Sequence, residues 1–207
     1  MTTKAPPARW IAAAAVAVLI VLMAVSTEYR TAETAAATAR KKFDPAAFGA
    51  QNYQAKVVPA IERAAVDLPT LIEAITDDKE AAGEKYGKRQ GTGPYTFAVK
   101  GTGKAGEARS GLLPVTVKGL AGTRVSLQIG PAINGTALRD ASGFITFGQF
   151  TNQVEYADAA TALNNEMRAK LLKSLDAAAL DGKDVSFVGA FTLLTPQTVT
   201  ITPVAIS

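Results

Sequence analysis

Residues 95–129 read YTFAVKGTGKAGEARSGLLPVTVKGLAGTRVSLQI, and this stretch decides the fold. Apolar and polar residues alternate in three places along it, around Phe97, Val115 and Leu127. A period of two predicts half-buried β-strands, and the glycine-rich segments between them are typical of turns and hairpins. The stretch therefore predicts three consecutive strands.

A helix and two further strands are predicted after this stretch. Asn152 stands three residues before Glu155, which is the spacing of a helix capping box. Apolar residues then recur at helical spacing until Gly182, and alternation around Phe187 and Ile201 predicts the last two strands. The predicted apolar face of the helix comprises Val154, Ala157, Ala160, Leu163, Met167, Leu171 and Leu175.

The resulting order is strand–strand–strand–helix–strand–strand, which is the order of an OB-type β-barrel. Closing the sheet into a small barrel also removes its exposed edges. A five-stranded open sheet packed by the long helix has the same order, so both arrangements remain open. The predicted fold class is α+β, with an OB-like barrel and one long helix at residues 91–207.

Several short helices are predicted before the barrel, at residues 28–90. The stretch from Glu28 to Lys42 is rich in Ala and Thr and is typical of a stalk or a weak helix. The pair Asp44-Pro45 is a helix-start pattern, and Asp67 and Asp77 can cap further helices. Pro59 predicts a kink or the start of a new helix.

The N-terminus, residues 1–27, has the pattern of a membrane-targeting segment. Lys4 and Arg9 precede an uncharged, mostly apolar run from Trp10 to Val25. As a helix this run spans about 24 Å, whereas a typical hydrocarbon core is about 30 Å thick. It fits an uncleaved signal anchor, and it also fits a signal peptide cleaved after Ala24-Val25-Ser26. Both interpretations place the following domain in the periplasm, and the first tethers it to the inner membrane.

The composition excludes several classes of function. The chain has no Cys and no His, which excludes disulfides, thiolate catalysis, Ser-His triads and nearly all zinc sites. The formal net charge is +4, but Lys4 and Arg9 lie before the apolar run. Since the folded part then carries only a small basic excess, we expect no nucleic-acid partner. No motif indicates a cofactor or a metal ion.

Several motifs resemble those of one bacterial family. They are Val57-Val58-Pro59, Lys85-Tyr86-Gly87, VKGTG at 99–103, GTALRDA at 135–141 and FTNQ at 150–153. The family is that of predicted periplasmic lipoproteins, catalogued as domain of unknown function 2291, and it has no established activity. The resemblance implies an accessory of sugar ABC transporters, because the family's genes often lie beside those of such transporters. Lipid attachment is not carried over, since the chain has no Cys to acylate.

The segment between the third strand and the long helix is the predicted binding region. Arg139 could hold a carboxylate or sugar hydroxyls, with Asp140 accepting hydroxyl protons. Asn152 and Gln153 offer amide donors and acceptors, and Tyr156 could stack on a sugar ring. Each residue also has a structural interpretation: Arg139 could fix a loop, Asp140 and Asn152 could cap helical turns, and Tyr156 could pack in the core.

The leading hypothesis is a non-enzymatic binding or accessory module, tethered at the inner membrane, facing the periplasm and associated with a sugar ABC transporter. The alternatives are a structural envelope protein that contacts other proteins and a periplasmic enzyme acting on saccharides. A glycosidase needs two carboxylates at a set separation, and the sequence gives no separation for Asp140 and Asp158. The Gly-Thr-Gly repeats at 91–93 and 101–103 lack the ending of a phosphate-binding loop and predict turns.

Overall fold

The computed structural model describes residues 8–26 and 42–207 and divides the chain into two units, Met1–Lys42 and Phe43–Ser207. In the first unit, helix α1 covers Ala8–Ser26. Among the described residues, no helix combines the length and the apolar character that a membrane crossing requires. This finding does not support the transmembrane anchor predicted for residues 1–27. The predicted stalk lies outside the described residues, except for its last residue.

The second unit begins with helices that the sequence predicts. They are α2 (Pro45–Asn52), one π-helical turn (Tyr53–Val57) and α3 (Val58–Ala64). Asp44 caps α2, since its carboxylate accepts a hydrogen bond from the Ala47 N–H at 3.1 Å. Pro59 is the second residue of α3. It follows the π-helical turn, and its missing N–H removes one backbone donor where the chain changes from π-helical to α-helical geometry.

Two more helices and two short strands follow before the barrel. They are β1 (Val66–Asp67), α4 (Leu68–Asp77), α5 (Lys79–Tyr86) and β2 (Gly87–Lys88). The residue that caps α5 is Asp78 and not the predicted Asp77, because the Asp78 carboxylate accepts hydrogen bonds from the Glu80 and Ala81 N–H groups, both at 3.0 Å. Asp67 precedes α4 as predicted, although its side chain accepts no backbone hydrogen bond there.

Five longer strands form a closed barrel. They are β3 (Thr96–Ala105), β4 (Leu112–Thr116), β5 (Arg124–Gln128), β6 (Asp184–Thr192) and β7 (Thr198–Ile206). The order around the barrel is β3-β4-β5-β7-β6, and β6 pairs back onto β3. Strands β5 and β7 run parallel, whereas the other neighbours in the barrel run antiparallel. Closure confirms the predicted barrel and excludes the open sheet.

Glycines allow the long strand β3 to approach its neighbours closely. A Cβ atom on Gly103 would lie 2.5 Å from the Thr116 carbonyl oxygen, and one on Gly101 would lie 2.7 Å from the Phe187 ring. These glycines are therefore needed for close packing within a strand. The turn predicted at residues 101–103 is wrong for this reason.

Two hydrophobic clusters hold the second unit together. The first fills the barrel and joins the apolar face of α4, including Leu71, to Phe97 and Leu127 of the strands. The second joins helices to other barrel residues, including Ile61 of α3 and Ala98 of β3. The helices that precede the barrel belong to the same compact unit as the strands, because their apolar faces are buried against them.

The chain between β5 and β6 is mainly helical. It contains α6 (Ala137–Ala141), α7 (Gln153–Lys170) and 3₁₀ turns at Phe147–Gln149, Leu172–Ser174 and Ala178–Leu180. Leu163 and Met167 of α7 are fully buried, as predicted, whereas Val154 is 69% exposed. Since α7 ends at Lys170, the predicted helix residues Leu171 and Leu175 follow it instead of extending its apolar face.

Candidate functional site

Four side chains of α6, α7 and the residue before α6 form a hydrogen-bonded group, which we call the Arg139 cluster: Thr136, Arg139, Asp140 and Tyr156. The Arg139 Nε donates to Asp140 Oδ1 at 2.8 Å, and its Nη1 donates to the backbone carbonyl of Tyr156 at 2.9 Å. The Thr136 hydroxyl donates to Asp140 Oδ2 at 2.6 Å. The Tyr156 hydroxyl donates a longer bond, 3.4 Å, to Asp140 Oδ1. The structure therefore brings three of the predicted site residues together.

Burial limits what the Arg139 cluster can bind. Arg139 is only 7% exposed, and its guanidinium carbon lies 3.5 Å from the centroid of the Tyr156 ring, so one face of that ring is covered. Burial raises the pKa of the Tyr156 hydroxyl, and the charge of Arg139 opposes this effect. The paired charge joins α6 to α7, which is the structural interpretation given above for Arg139.

A groove of about 430 Å³ lies beside the Arg139 cluster and is lined by Arg139, Tyr156, Gln153 and Phe147 among others. Phe147 is 47% exposed, and its ring meets the Tyr156 ring edge-on with 5.7 Å between centroids. Asn152 does not line this groove. Its side chain caps α7 by accepting a hydrogen bond from the Glu155 N–H at 2.9 Å.

A second cleft lies on the outer wall of the barrel, and the sequence did not single it out. Because Leu113, Leu127 and Ile201 point into the barrel, the alternation of a strand directs Leu112, Gln128 and Thr202 outward. These residues and the loops around them enclose about 420 Å³. We call this site the barrel-wall cleft, and its lining includes Ser110, Leu112, Gln128, Leu194, Thr200 and Thr202.

Gln128 fixes one wall of the barrel-wall cleft. Its Nε2 donates to the Asn134 carbonyl at 3.0 Å and to the Thr202 hydroxyl oxygen at 2.9 Å, and its Oε1 accepts from the Asn134 N–H at 2.9 Å. From the other side, the buried Asn164 of α7 donates its Nδ2 to the Gly135 carbonyl at 3.0 Å. The β5–α6 loop is thus held from both the barrel and the helix.

A tight turn shapes the rim of the barrel-wall cleft. Arg109 and Leu112 exchange both backbone hydrogen bonds at 2.9 Å, and the residues between them, Ser110 and Gly111, have φ angles of 51° and 78°. Two positive φ angles in a two-residue hairpin define a type I′ turn. This turn places Ser110 in the lining of the cleft, which also includes Leu194, a residue that is 80% exposed.

The charges of the two sites differ. The groove beside the Arg139 cluster includes a guanidinium, whereas none of the residues that line the barrel-wall cleft is charged. Within residues 8–26 and 42–207, no group of three or more Asp or Glu residues is placed to hold a metal ion. The sequence carries one weak signal for the barrel-wall cleft, since two residues of its lining, Thr200 and Thr202, occupy alternate positions of the last strand.

Comparison with solved structures gives the fold, and comparison with family models gives the family. An OB-fold protein from Thermotoga maritima superposes with a TM-score of 0.67 at 22% sequence identity, covering 81% of this chain and 99% of that protein. This likeness confirms the OB-type barrel. No curated protein matches the chain. The model of a family described as predicted periplasmic lipoprotein, domain of unknown function 2291, matches residues 15–207, so the chain belongs to that family.

Proposed function

We propose that this protein is a non-enzymatic binding protein of the periplasm and that the barrel-wall cleft is its ligand site. The observation that carries the proposal is the preformed wall of this cleft, where Gln128 and Asn164 hold the same loop from opposite sides. A site that is ordered before binding loses little conformational entropy when a ligand arrives. Its volume of about 420 Å³ is within the range of small-molecule sites.

The fold supports the same position. OB-type barrels bind oligonucleotides and oligosaccharides on the outer face of their second and third strands and with the loops beside them. In this chain those strands are β4 and β5, which contribute Leu112 and Gln128 to the barrel-wall cleft, while the β6–β7 loop contributes Leu194. The family resemblance adds the role of an accessory beside a sugar ABC transporter, and a small-ligand site suits such a role.

The proposed location has its own test. The basic residues and the apolar run before Ser26 are typical of an export signal, and the family description names the periplasm. We expect the processed protein to begin at Thr27 and to be recovered either in the periplasmic fraction or in the membrane fraction. Mass spectrometry of the protein purified from cells measures the N-terminus, and an unprocessed cytoplasmic protein would contradict the proposed location.

Binding at the barrel-wall cleft is tested by filling it. Thr200 is exposed and lines the cleft, whereas Thr198 is exposed on the same face of β7, two residues away and outside the lining. We expect a thermal-shift screen of the full chain with small envelope metabolites to give compounds that raise Tm. Thr200→Trp should abolish the shift, and the matched Thr198→Trp should retain it. Equal responses of the two variants would exclude the cleft as the site.

A structural envelope module remains a second candidate because of one observation. Phe147, which is 47% exposed, and Gln153 line the groove beside the Arg139 cluster, and Val154, the residue after Gln153, is 69% exposed. Apolar side chains mark a protein interface where they form one contiguous exposed patch. A photo-crosslinker at position 147 should then capture an envelope protein, and the same crosslinker at the exposed position 198 should not.

A further inference from the structure

We infer that the barrel-wall cleft takes an uncharged, polyhydroxylated ligand, that is, a short neutral saccharide. This inference rests on the proposed function and adds the chemical class of the ligand. It depends on the charge of the lining, on its free hydroxyl groups, on its apolar rim and on its size.

The charge of the lining disfavours ionic ligands. No Lys, Arg, Asp or Glu lines the barrel-wall cleft, although charged residues make up 19% of the chain. A phosphate or carboxylate group bound there would lose hydration without gaining a counter-charge, which is unfavourable. The same argument applies to a ligand that carries an ammonium group. The cleft therefore suits a ligand that is polar but neutral.

The hydrogen-bonding groups of the cleft match hydroxyl groups. Both hydrogens of the Gln128 Nε2 are used, but its Oε1 accepts only one bond and keeps a second acceptor position. Thr202 is only 1% exposed, and its hydroxyl oxygen accepts from Gln128, so it orients the Gln128 amide. The hydroxyls of Ser110 and Thr200 make no hydrogen bond to any described residue. Each can donate and accept, as each sugar hydroxyl does.

The rim supplies apolar contact. Leu194 is 80% exposed and Leu112 is 36% exposed, and both line the barrel-wall cleft. A sugar ring carries C–H groups on its faces, so it can contact these side chains while its hydroxyls reach the polar groups of the lining. A small polar ion would gain nothing from the two leucines. The combination of polar groups and exposed leucines in one lining therefore fits a ring-shaped polyol.

The size of the cleft limits the length of the saccharide. Its volume of about 420 Å³ is near the lower end of the range for small-molecule sites. We therefore expect one or two sugar rings to be enclosed, with any longer chain extending into solvent past the Ser110 turn or past Leu194.

The test is isothermal titration calorimetry on the full chain, in a zwitterionic detergent if one is needed, because detergents with sugar headgroups would compete. The neutral probes are D-glucose, D-galactose, D-ribose and maltose, and the charged probes are glucose 6-phosphate and glucuronate. We expect saturable binding of at least one neutral probe and at least tenfold weaker binding of its charged counterpart. Thr200→Trp should weaken the neutral probe at least tenfold, and Thr198→Trp should change its Kd less than twofold.

If Thr200→Trp does not fold, Leu194→Ser replaces it, because a side chain that is 80% exposed does not support the core. This variant should weaken the neutral probe at least threefold. Binding only of the charged probes would overturn the inference. The inference would also be overturned if no saccharide binds but another compound gives a thermal shift that Thr200→Trp removes. In that case the cleft is still a ligand site, and the proposed function stands. If no compound of any class is sensitive to Thr200→Trp, both the inference and the proposed function fail.

Discussion

Arg139 shows how burial changes the interpretation of a single residue. An Arg in a loop between a strand and a helix is typical of an exposed binding group, and the sequence supports that hypothesis. In the structure its side chain is 8% exposed and that of its partner Asp140 is 13% exposed. The guanidinium is thus more important for joining α6 to α7 than for reaching a ligand.

Truncating Arg139 should therefore destabilise the protein. In Arg139→Ala, the Asp140 carboxylate stays buried without its counter-charge, and breaking a buried pair in this way costs roughly 3–5 kcal/mol. The matched control is Arg109→Ala, whose ion pair with Glu107 is exposed and should contribute less than about 1 kcal/mol. Denaturant titration measures both. If Arg139→Ala lowers the free energy of unfolding by less than about 1 kcal/mol, Arg139 is not structural and becomes a candidate binding residue again.

Gln128 is the opposite case, since nothing in the sequence distinguishes it. It is the last residue of an alternating strand, where a polar side chain normally faces solvent. Its partner Asn134 lies in a loop whose path depends on Asn164, 30 residues further along the chain. The contact that buries Gln128 is set by the tertiary structure, so periodicity could not predict the barrel-wall cleft.

At the scale of secondary structure, α7 gives the sharpest stability test. Leu163 is fully buried and lies in the hydrophobic cluster that joins the helices to the barrel. Val154, on the same helix, is 69% exposed. Leu163→Ala should reduce the free energy of unfolding by roughly 2–5 kcal/mol, because it leaves a cavity. Val154→Ala should change it by less than about 0.5 kcal/mol. Similar losses in denaturant titrations of the two variants would show that α7 packs by another face.

Patterns of period two and of helical period predicted most elements, and the exceptions have physical causes. Alternation around Val115 and Leu127 gave strands because one face of each is in the barrel core. The pattern failed in β3, where Gly103 is required by contact with Thr116 in the closed barrel. The helix prediction was wrong after Lys170, because the helix ends there although Leu171 and Leu175 continue the helical spacing of apolar residues. In each failure a contact between distant parts of the chain overrides the local preference.

At the scale of the whole molecule, the two candidate sites share a residue. Thr136 lines the barrel-wall cleft, and its hydroxyl donates to Asp140 of the Arg139 cluster at 2.6 Å. Asp140 in turn binds Arg139, which lines the other groove. Asp140 therefore supports, through Thr136, a wall of the barrel-wall cleft that it does not itself line.

Tyrosine ionisation should make the stability of the whole molecule depend on pH in alkaline solution. The chain has no His, the side chain whose ordinary pKa lies closest to neutrality. Among the described residues, three tyrosines have a raised pKa: burial is the first cause for Tyr53, Tyr95 and Tyr156, and a hydrogen bond donated to Glu80 adds to it for Tyr95. We therefore expect tyrosine ionisation to affect folding in alkaline solution.

The direction of this pH effect follows from the linkage between proton binding and folding. Below a pH of about 10, the ordinary pKa of tyrosine, these phenols are protonated in both the folded and the unfolded chain. Above it the unfolded chain releases their protons first, so stability falls as the pH rises toward the folded-state values. We expect Tm to change little between about pH 6 and 8 and to fall between about pH 9 and 11. Tyr53→Phe should reduce that fall, because Tyr53 is 1% exposed and its pKa is raised well beyond the usual range. An identical fall in this variant, measured by differential scanning calorimetry, would show that Tyr53 does not contribute.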